Sequence, residues 1–486
     1  FNSANRLIYI NTMLLAIVTI FIIGYLAIAL EHPLRIDKAA VALLLGMLLW
    51  VLYAFGAESI VPVADAEELS HYLASSTTLQ SLPLAQQCLN FIVNVKVIEH
   101  LGDISEILFF LIGAMTIVEL IDVHGGFSII TNRITTRKKR KLLWILGFIT
   151  FFMSAVLDNL TTAIVMVMLL RKLVSDQRER WLYASMIVIA ANSGGAWSPI
   201  GDITTIMLWV KGNVTTSALV KFVLLPSMVS LIVPLIFASR MLGGTLAPVD
   251  TTVKTHSDFV SFGEKRLILI LGILGLIFVP LFKAVTSLPP FIGILFSLSV
   301  LWIFTEIMYN RKMIDEAHQC RVPKVLKRID IPTILFFLGI LMAVAVLQAT
   351  GILTSTAQWL DINVHNVYVI NILLGALSSI VDNVPLVAAS IGMYPIVDPT
   401  ILSSVSDPAY MGYFVQDGIF GEFLSYCVGV GGSMLIIGSA AGVVVMGLER
   451  INFVWYLRHI SLLALCGYLA GAFTYMAEVI LFKGGL

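Results

Sequence analysis

Three aspartates interrupt stretches that otherwise read as membrane interior. Asp158, Asp202 and Asp382 each sit inside a long apolar run. A carboxylate near the centre of a bilayer is costly, so an acid kept there marks a functional site by default. Asn159, Thr161, Thr162, Asn192, Ser193, Ser198, Thr204 and Thr205 surround the first two in sequence. Ser378, Ser379, Asn383, Ser433 and Ser439 accompany the third. These are hard oxygen donors, suited to a small cation that must shed water. No Lys or Arg falls among them, so an anion would leave the carboxylates uncompensated. The expected pocket binds a cation such as Na+ around Asp158, Asp202 and Asp382. A buried carboxyl that holds either a proton or a metal cation, but not both, couples the two flows.

A plainer role stands beside this one. An Asp-Asn pair at a helix start can simply cap the helix. Two such pairs in matching surroundings, with Asp202 in an adjacent break, favour the binding role, and capping can coexist with it.

The elements that must position these residues follow from composition. Of 486 residues, 58% are hydrophobic and 12% charged, against about 25% charged in a typical soluble domain. The mean hydropathy is +0.95. Disorder is excluded, and a balance of 30 basic and 30 acidic residues with no basic arm disfavours nucleic-acid binding. Uncharged runs of about 20 residues recur along the chain, which predicts spanning helices rather than barrel strands. The runs fall at 9–30, 39–56, 104–123, 142–170, 181–210, 216–242, 266–286, 289–309, 331–350, 366–397, 410–447 and 452–482. The first is read as a retained span rather than a signal peptide. Membrane lipid is therefore the expected surrounding.

Basic residues set the sidedness. Segments 124–141 (with Arg133, Arg137 and Lys138), 171–180 and 311–328 are basic, whereas no Lys or Arg occurs between Arg328 and Arg450. Run 142–170 has a basic cluster at each end, so both ends belong on one side. Folded as a hairpin, each arm has about 14 residues, or roughly 21 Å. That passes the midplane of a core about 30 Å thick without spanning it. A re-entrant hairpin with its tip at Asp158-Asn159 is expected. Run 366–397 has the same form, with its tip at Asp382-Asn383.

The two halves repeat. Ile107-Leu-Phe-Phe-Leu111 recurs at 334–338, Ser154-Ala-Val-Leu-Asp-Asn159 as Ser378-Ser-Ile-Val-Asp-Asn383, and Gly194-Gly195 with Ile200-Gly201 as Gly431-Gly432 with Ile437-Gly438. The glycines and Pro199 cannot continue a regular helix. The expected fold is an all-α polytopic membrane protein of inverted-topology repeats, each with a re-entrant helical hairpin and a broken transmembrane helix, as in secondary transporters. Residues 1–103 supply N-terminal spans and an outer segment. Repeat 1 covers 104–242 (hairpin 142–170, broken helix 181–210), connecting spans cover 243–330, and repeat 2 covers 331–486 (hairpin 366–397, broken helix 410–447).

Weaker signals remain. Glu119 and Asp122, at one end of run 104–123, are read as interfacial acids or as part of a proton route. His124 is read as packing or as a pH sensor, Trp181 and Tyr309 as interface anchors, and 84–101 as an amphipathic helix on the outer surface. Cys88, Cys320, Cys427 and Cys466 show no metal spacing and are read as inert. No cofactor is expected. An intramembrane hydrolase, whose paired aspartates would do acid/base work, is disfavoured because a catalytic dyad needs no pair of inverted hairpins. The chain is therefore not read as an enzyme.

At these residues the sequence resembles the NhaD-type sodium/proton antiporters of the ion transporter superfamily. The matching stretches are Ala114–Asp122, Ser154–Thr162, Asn192–Thr205 and Ser379–Pro385, and the likeness runs from about residue 30 to the end. The resemblance implies export of Na+ or Li+ in exchange for H+, in a bacterial inner membrane or a chloroplast envelope. It implies a homodimer. It also marks Asp158, Asn159, Asn192, Asp202, Thr204, Thr205 and Asn383 as the important polar residues. The alternative is a sodium-coupled dicarboxylate or anion transporter of the same superfamily; those carry Ser-Asn-Thr signatures where this chain has Asp-Asn.

Overall fold

The computed structural model describes residues 3–29, 35–74, 77–127, 129, 136–246, 261–312, 321–380, 383–405 and 407–483. Asp382, Arg133 and Cys320 lie outside these residues. The described elements are helices: α1 (Ser3–Ala29), α2 (Lys38–Phe55), α3 (Leu84–Val123), α4 (Lys139–Leu157), α5 (Asn159–Leu173), α6 (Gln177–Gly195), α7 (Ile203–Val210) and α8 (Thr216–Met241). They continue with α9 (Phe262–Thr286), α10 (Pro290–Lys312), α11 (Ile331–Ala349), α12 (Val367–Ser378), α13 (Asn383–Met393), α14 (Ile419–Gly431), α15 (Ala440–Glu449), α16 (Phe453–His459) and α17 (Ser461–Lys483). Shorter helical segments fill several connections. Among the described residues nine helices are long and apolar enough to cross a bilayer: α1 to α4, α8 to α11 and α17. Leu44, Phe55, Val285 and Phe473 are exposed on them, the reverse of a water-facing surface. The chain is a multi-pass membrane protein.

Three expectations need correction. Residues 84–101 are not a separate surface helix but the first part of α3, a continuous helix of 40 residues. No proline or cap interrupts it, Cys88, Phe91 and Ile92 bury one face, and a π-helical turn at Ile92–Lys96 absorbs the change in register. Gln86, Asn94 and Glu99 are exposed on the other side and imitate an amphipathic surface helix, while Lys96 is buried against Asp65 and Glu68. Run 452–482 is two helices, because the chain breaks at Ile460 after Asn452 caps α16. A bend of 115° also separates α15 from α16. Tyr309 is no interface anchor: it is buried, and its hydroxyl lies 2.7 Å from Nε2 of the buried His124. Trp181, by contrast, is half-buried, and donates through Nε1 to the Glu449 carbonyl at 3.0 Å.

Packing divides the chain into two compact units. The first comprises Phe1–Leu108, Asp330–Asn366 and Ala388–Pro395. In it α2 and α11 cross closely: a Cβ on Gly46 would lie 2.4 Å from the Gly339 carbonyl oxygen. Small residues permit such contact between membrane helices. Beside the crossing, Trp50 Nε1 donates to the Met342 carbonyl at 3.0 Å.

The second unit comprises Phe109–Ile329, Val367–Val387 and Ile396–Leu486. Within it the sequence-matched stretches make matched contacts. Ser154 Oγ donates to the Ala191 carbonyl at 2.6 Å, and Ser378 Oγ to the Val428 carbonyl at 3.0 Å. A Cβ on Gly194 would meet the Phe151 oxygen at 2.2 Å, and one on Gly431 the Gly375 oxygen at 2.2 Å. Gly195 lies against Gly201, and Gly432 against Gly438. Each glycine pair closes a non-helical break, after which Asp202 opens α7 and Ser439 opens α15.

Candidate functional site

The helix of run 142–170 stops after Leu157 and restarts at Asn159, with Asp158 as the joint at φ 94°. With ψ at 158° this is a backbone region populated almost only by glycine, so Asp158 is held in a strained joint. Asp158 caps α5: Oδ1 accepts from the Thr161 amide at 2.7 Å and Oδ2 from Thr161 Oγ1 at 2.8 Å. Asp158 as a whole is half-buried, and the next residue, Asn159, is buried. The hydroxyl of Thr162, also buried, has no hydrogen-bond partner among the described residues.

Asp202 is 2% exposed. It begins α7 through a capping box, in which Thr205 Oγ1 receives the Asp202 amide at 3.2 Å while Oδ1 accepts from the Thr204 amide at 3.4 Å. Its other oxygen, Oδ2, accepts from Asn383 Nδ2 at 3.2 Å. Asn383 is the first residue of α13, in the second sequence copy. Asp158 and Asp202 are close enough for their charges to interact. Neither forms an ion pair with a Lys or Arg among the described residues.

Asn192 joins the two copies. Its Oδ1 accepts from Asn159 Nδ2 at 3.1 Å, and its Nδ2 donates to Ser433 Oγ at 2.9 Å and Ser439 Oγ at 2.8 Å. All three residues it touches are buried. The fold thus gathers Asp158, Asn159, Thr161, Thr162, Asn192, Asp202, Thr204, Thr205, Asn383 and Ser433 around the two breaks. Ser193 is buried but turned away, its hydroxyl receiving Ser230 Oγ at 2.9 Å. Asp382 lies outside the described residues. Glu119 and Asp122 sit elsewhere, near the C-terminal end of α3, where Glu119 pairs with Arg328 at 3.0 Å. Among the described residues no three His, Cys, Asp or Glu side chains cluster as a transition-metal site would require. The group offers carboxylate, amide and hydroxyl oxygens instead, which suit a hard monovalent cation or a proton.

Sequence reasoning missed a second ionic cluster. Glu449, its side chain fully buried, accepts from Arg171 Nε at 2.6 Å and Arg180 Nε at 2.8 Å. The three residues tie the end of α5 and the start of α6 to the end of α15. Next to Arg450 at the edge of an apolar run, Glu449 reads as a loop acid, and nothing local shows that it folds inward. Removing one partner of a buried pair typically costs about 3–5 kcal/mol, less where a partner is solvent-screened. Glu449→Ala should therefore lower the melting temperature in detergent more than Arg171→Ala, since Arg171 is the more exposed partner. Wild-type melting by both variants would show that the cluster stabilises nothing.

Residues 13–411 match the family described as citrate transporter. Among individual proteins, the chain is 43% identical to sodium/proton antiporter 1 of Arabidopsis thaliana, over 95% of this chain and 72% of that one. It is 41% identical to sodium/proton antiporter 2 of the same plant, over 94% and 98%. To the Na(+)/H(+) antiporter NhaD of Vibrio parahaemolyticus it is 31% identical, over 74% and 86%.

Proposed function

The chain belongs to the NhaD-type sodium/proton antiporter family, and from that premise we propose that it exchanges Na+, or Li+, for H+ by competition at buried aspartates. The observation that carries this reading is the environment of Asp202. Its carboxylate is enclosed, accepts from one backbone amide and one Asn383 amide, and has no basic partner among the described residues. A permanent guanidinium would fix the carboxylate as an ion; neutral donors leave room for a change of state. With a proton the carboxyl is uncharged and releases a cation. Without one, it and the surrounding oxygens of Asp158, Thr162 and the asparagines offer ligands to Na+.

Transport requires that this group face each side in turn. The matched contacts of the two copies support an inverted repeat, and glycine-closed breaks at both centres support a site at mid-membrane. Alternating exposure of one shared site then gives antiport without a second pocket. A homodimer in a bacterial inner membrane or a chloroplast envelope belongs to the same reading. The test is proton flux in acid-loaded vesicles containing the purified protein, with Na+, Li+, K+ or citrate added in turn. Proton release on adding Na+ or Li+ alone is expected. Citrate-stimulated sodium uptake without proton release would replace this reading with sodium-coupled anion transport.

A further inference from the structure

A second buried acid pair lies in the same unit, away from the aspartates. Glu422, fully buried on the first turn of α14, accepts from Tyr475 Oη at 2.8 Å and, through both oxygens, from Lys483 Nζ at 2.9 Å. Lys483 also donates to the Asp417 carbonyl at 3.0 Å. An ammonium has three protons to give, and here all three are spent. Glu478 lies on α17 between Tyr475 and Lys483 in sequence, is 8% exposed, and its buried Oε2 has no hydrogen-bond partner among the described residues. The Glu422 charge acts on it.

The other charged groups nearby do not compensate Glu478. Asp417 is spent on Thr215, whose amide and hydroxyl donate to it at 2.6 and 2.8 Å. Helix α8 packs antiparallel to α17, with Gly467 against Ser230 and Gly471 against Pro226. This brings the turn Leu219–Val223 level with Glu478. Lys221 on that turn is exposed and lies over the Phe222 ring at 4.9 Å. Arg240 on α8, and Arg458 and His459 on α16, sit toward the other end of α17. Tyr426 and Tyr468, whose hydroxyls donate to the Tyr468 and Ile372 carbonyls, and the buried Cys427 and Tyr368 are further titratable groups of this packing layer, and none of them is a cation. Among the described residues Lys483 is thus taken by Glu422, and no cation is paired with Glu478. A buried carboxylate left without a partner takes up a proton instead.

Helix α14 links this corner to Asp202. Glu422, Ser425 and Gly429 follow at i, i+3 and i+7 on one face. Ser425 Oγ donates to the Ala196 carbonyl at 2.8 Å in the first break, and a Cβ on Gly429 would lie 4.0 Å from Asp202 Oδ2. Seven residues of helix rise about 10 Å, near enough for charges inside a membrane protein to be felt.

We propose that Glu478 is a second proton-binding carboxyl, distinct from the aspartates, whose proton sets the affinity of the cation site. The inference rests on the exchange reading above. Ionised Glu478 adds negative charge behind Asp202 and favours the cation; protonated Glu478 removes it.

The test is the pH dependence of KM for Na+ in proteoliposomes. Glu478→Gln fixes the neutral state in the same shape. It is expected to match the wild type at the acid end of the working range and to show a KM raised about fivefold at the alkaline end. Glu478→Asp should keep a pH-dependent KM but with its midpoint displaced, and it carries the test alone if the glutamine variant does not fold: a KM profile superimposable on the wild type there counts against the proposal. A KM unchanged at every pH, or raised by one factor throughout, would overturn it. Failure of the wild type to release protons on adding Na+ would instead refute the exchange reading itself.

Discussion

Asp158→Asn is expected to reduce sodium-driven proton release by at least about 100-fold, equivalent to roughly 2.7 kcal/mol, while leaving the fold intact. The two halves of this expectation separate transport from capping. Asparagine is as good an N-cap as aspartate, has the same size and branching at the strained joint, and its carbonyl can still accept from the Thr161 amide. It has no titratable proton and no charge for a cation. Asp202→Asn should fail in the same way, because the Asn383 amide would then face a second amide in place of a carboxylate oxygen. Vesicle proton flux and detergent melting, measured together on both variants, decide the matter. Normal exchange by Asp158→Asn with unchanged melting would reduce Asp158 to a helix cap.

The second large effect comes from backbone contact. Gly194→Ala places a methyl group where the Phe151 oxygen lies 2.2 Å away, and Gly431→Ala does the same against the Gly375 oxygen. In both cases the obstacle is backbone rather than the end of a flexible side chain, so the helices themselves must part. Overpacking of this kind costs about 1–3 kcal/mol. Parting α4 from α6, or α12 from α14, also displaces the breaks that carry Asp202, Asn192 and Ser439. Both variants should melt earlier and exchange slowly. Gly447→Ala on α15, where nothing lies within 4 Å, serves as the control and should be silent. Wild-type melting by the Gly194 and Gly431 variants would mean that these contacts are looser than drawn.

Much of this was legible in the sequence because the informative residues break strong local patterns. Asp158 falls where an apolar run needs a joint, and the chain breaks there. The glycine pairs stop helices that nothing else would stop. The spanning helices follow from hydropathy alone. What escaped depends on partners distant in sequence. Tyr309 reads as an interface residue until His124, 185 positions away, is seen beside it. Arg171 and Arg180 read as loop charges until Glu449 turns inward between them. Continuity of α3 was hidden by polar residues that a membrane helix can carry on a protein-facing or solvent-facing side. Glu422 and Glu478 are a different matter. They are acids inside the apolar runs 410–447 and 452–482, so the rule that singled out the aspartates applied to them equally.

The matched helices α7 and α15 differ at their first contact. Each follows a glycine-closed break and turns its positive end toward the same centre, but Asp202 caps one and Ser439 the other. One end therefore brings its own neutralising charge and its counterpart does not. Near-symmetry of shape is combined with a lopsided electric field, so an ion at the middle would feel unlike surroundings toward its two exits even where the backbone paths are equivalent.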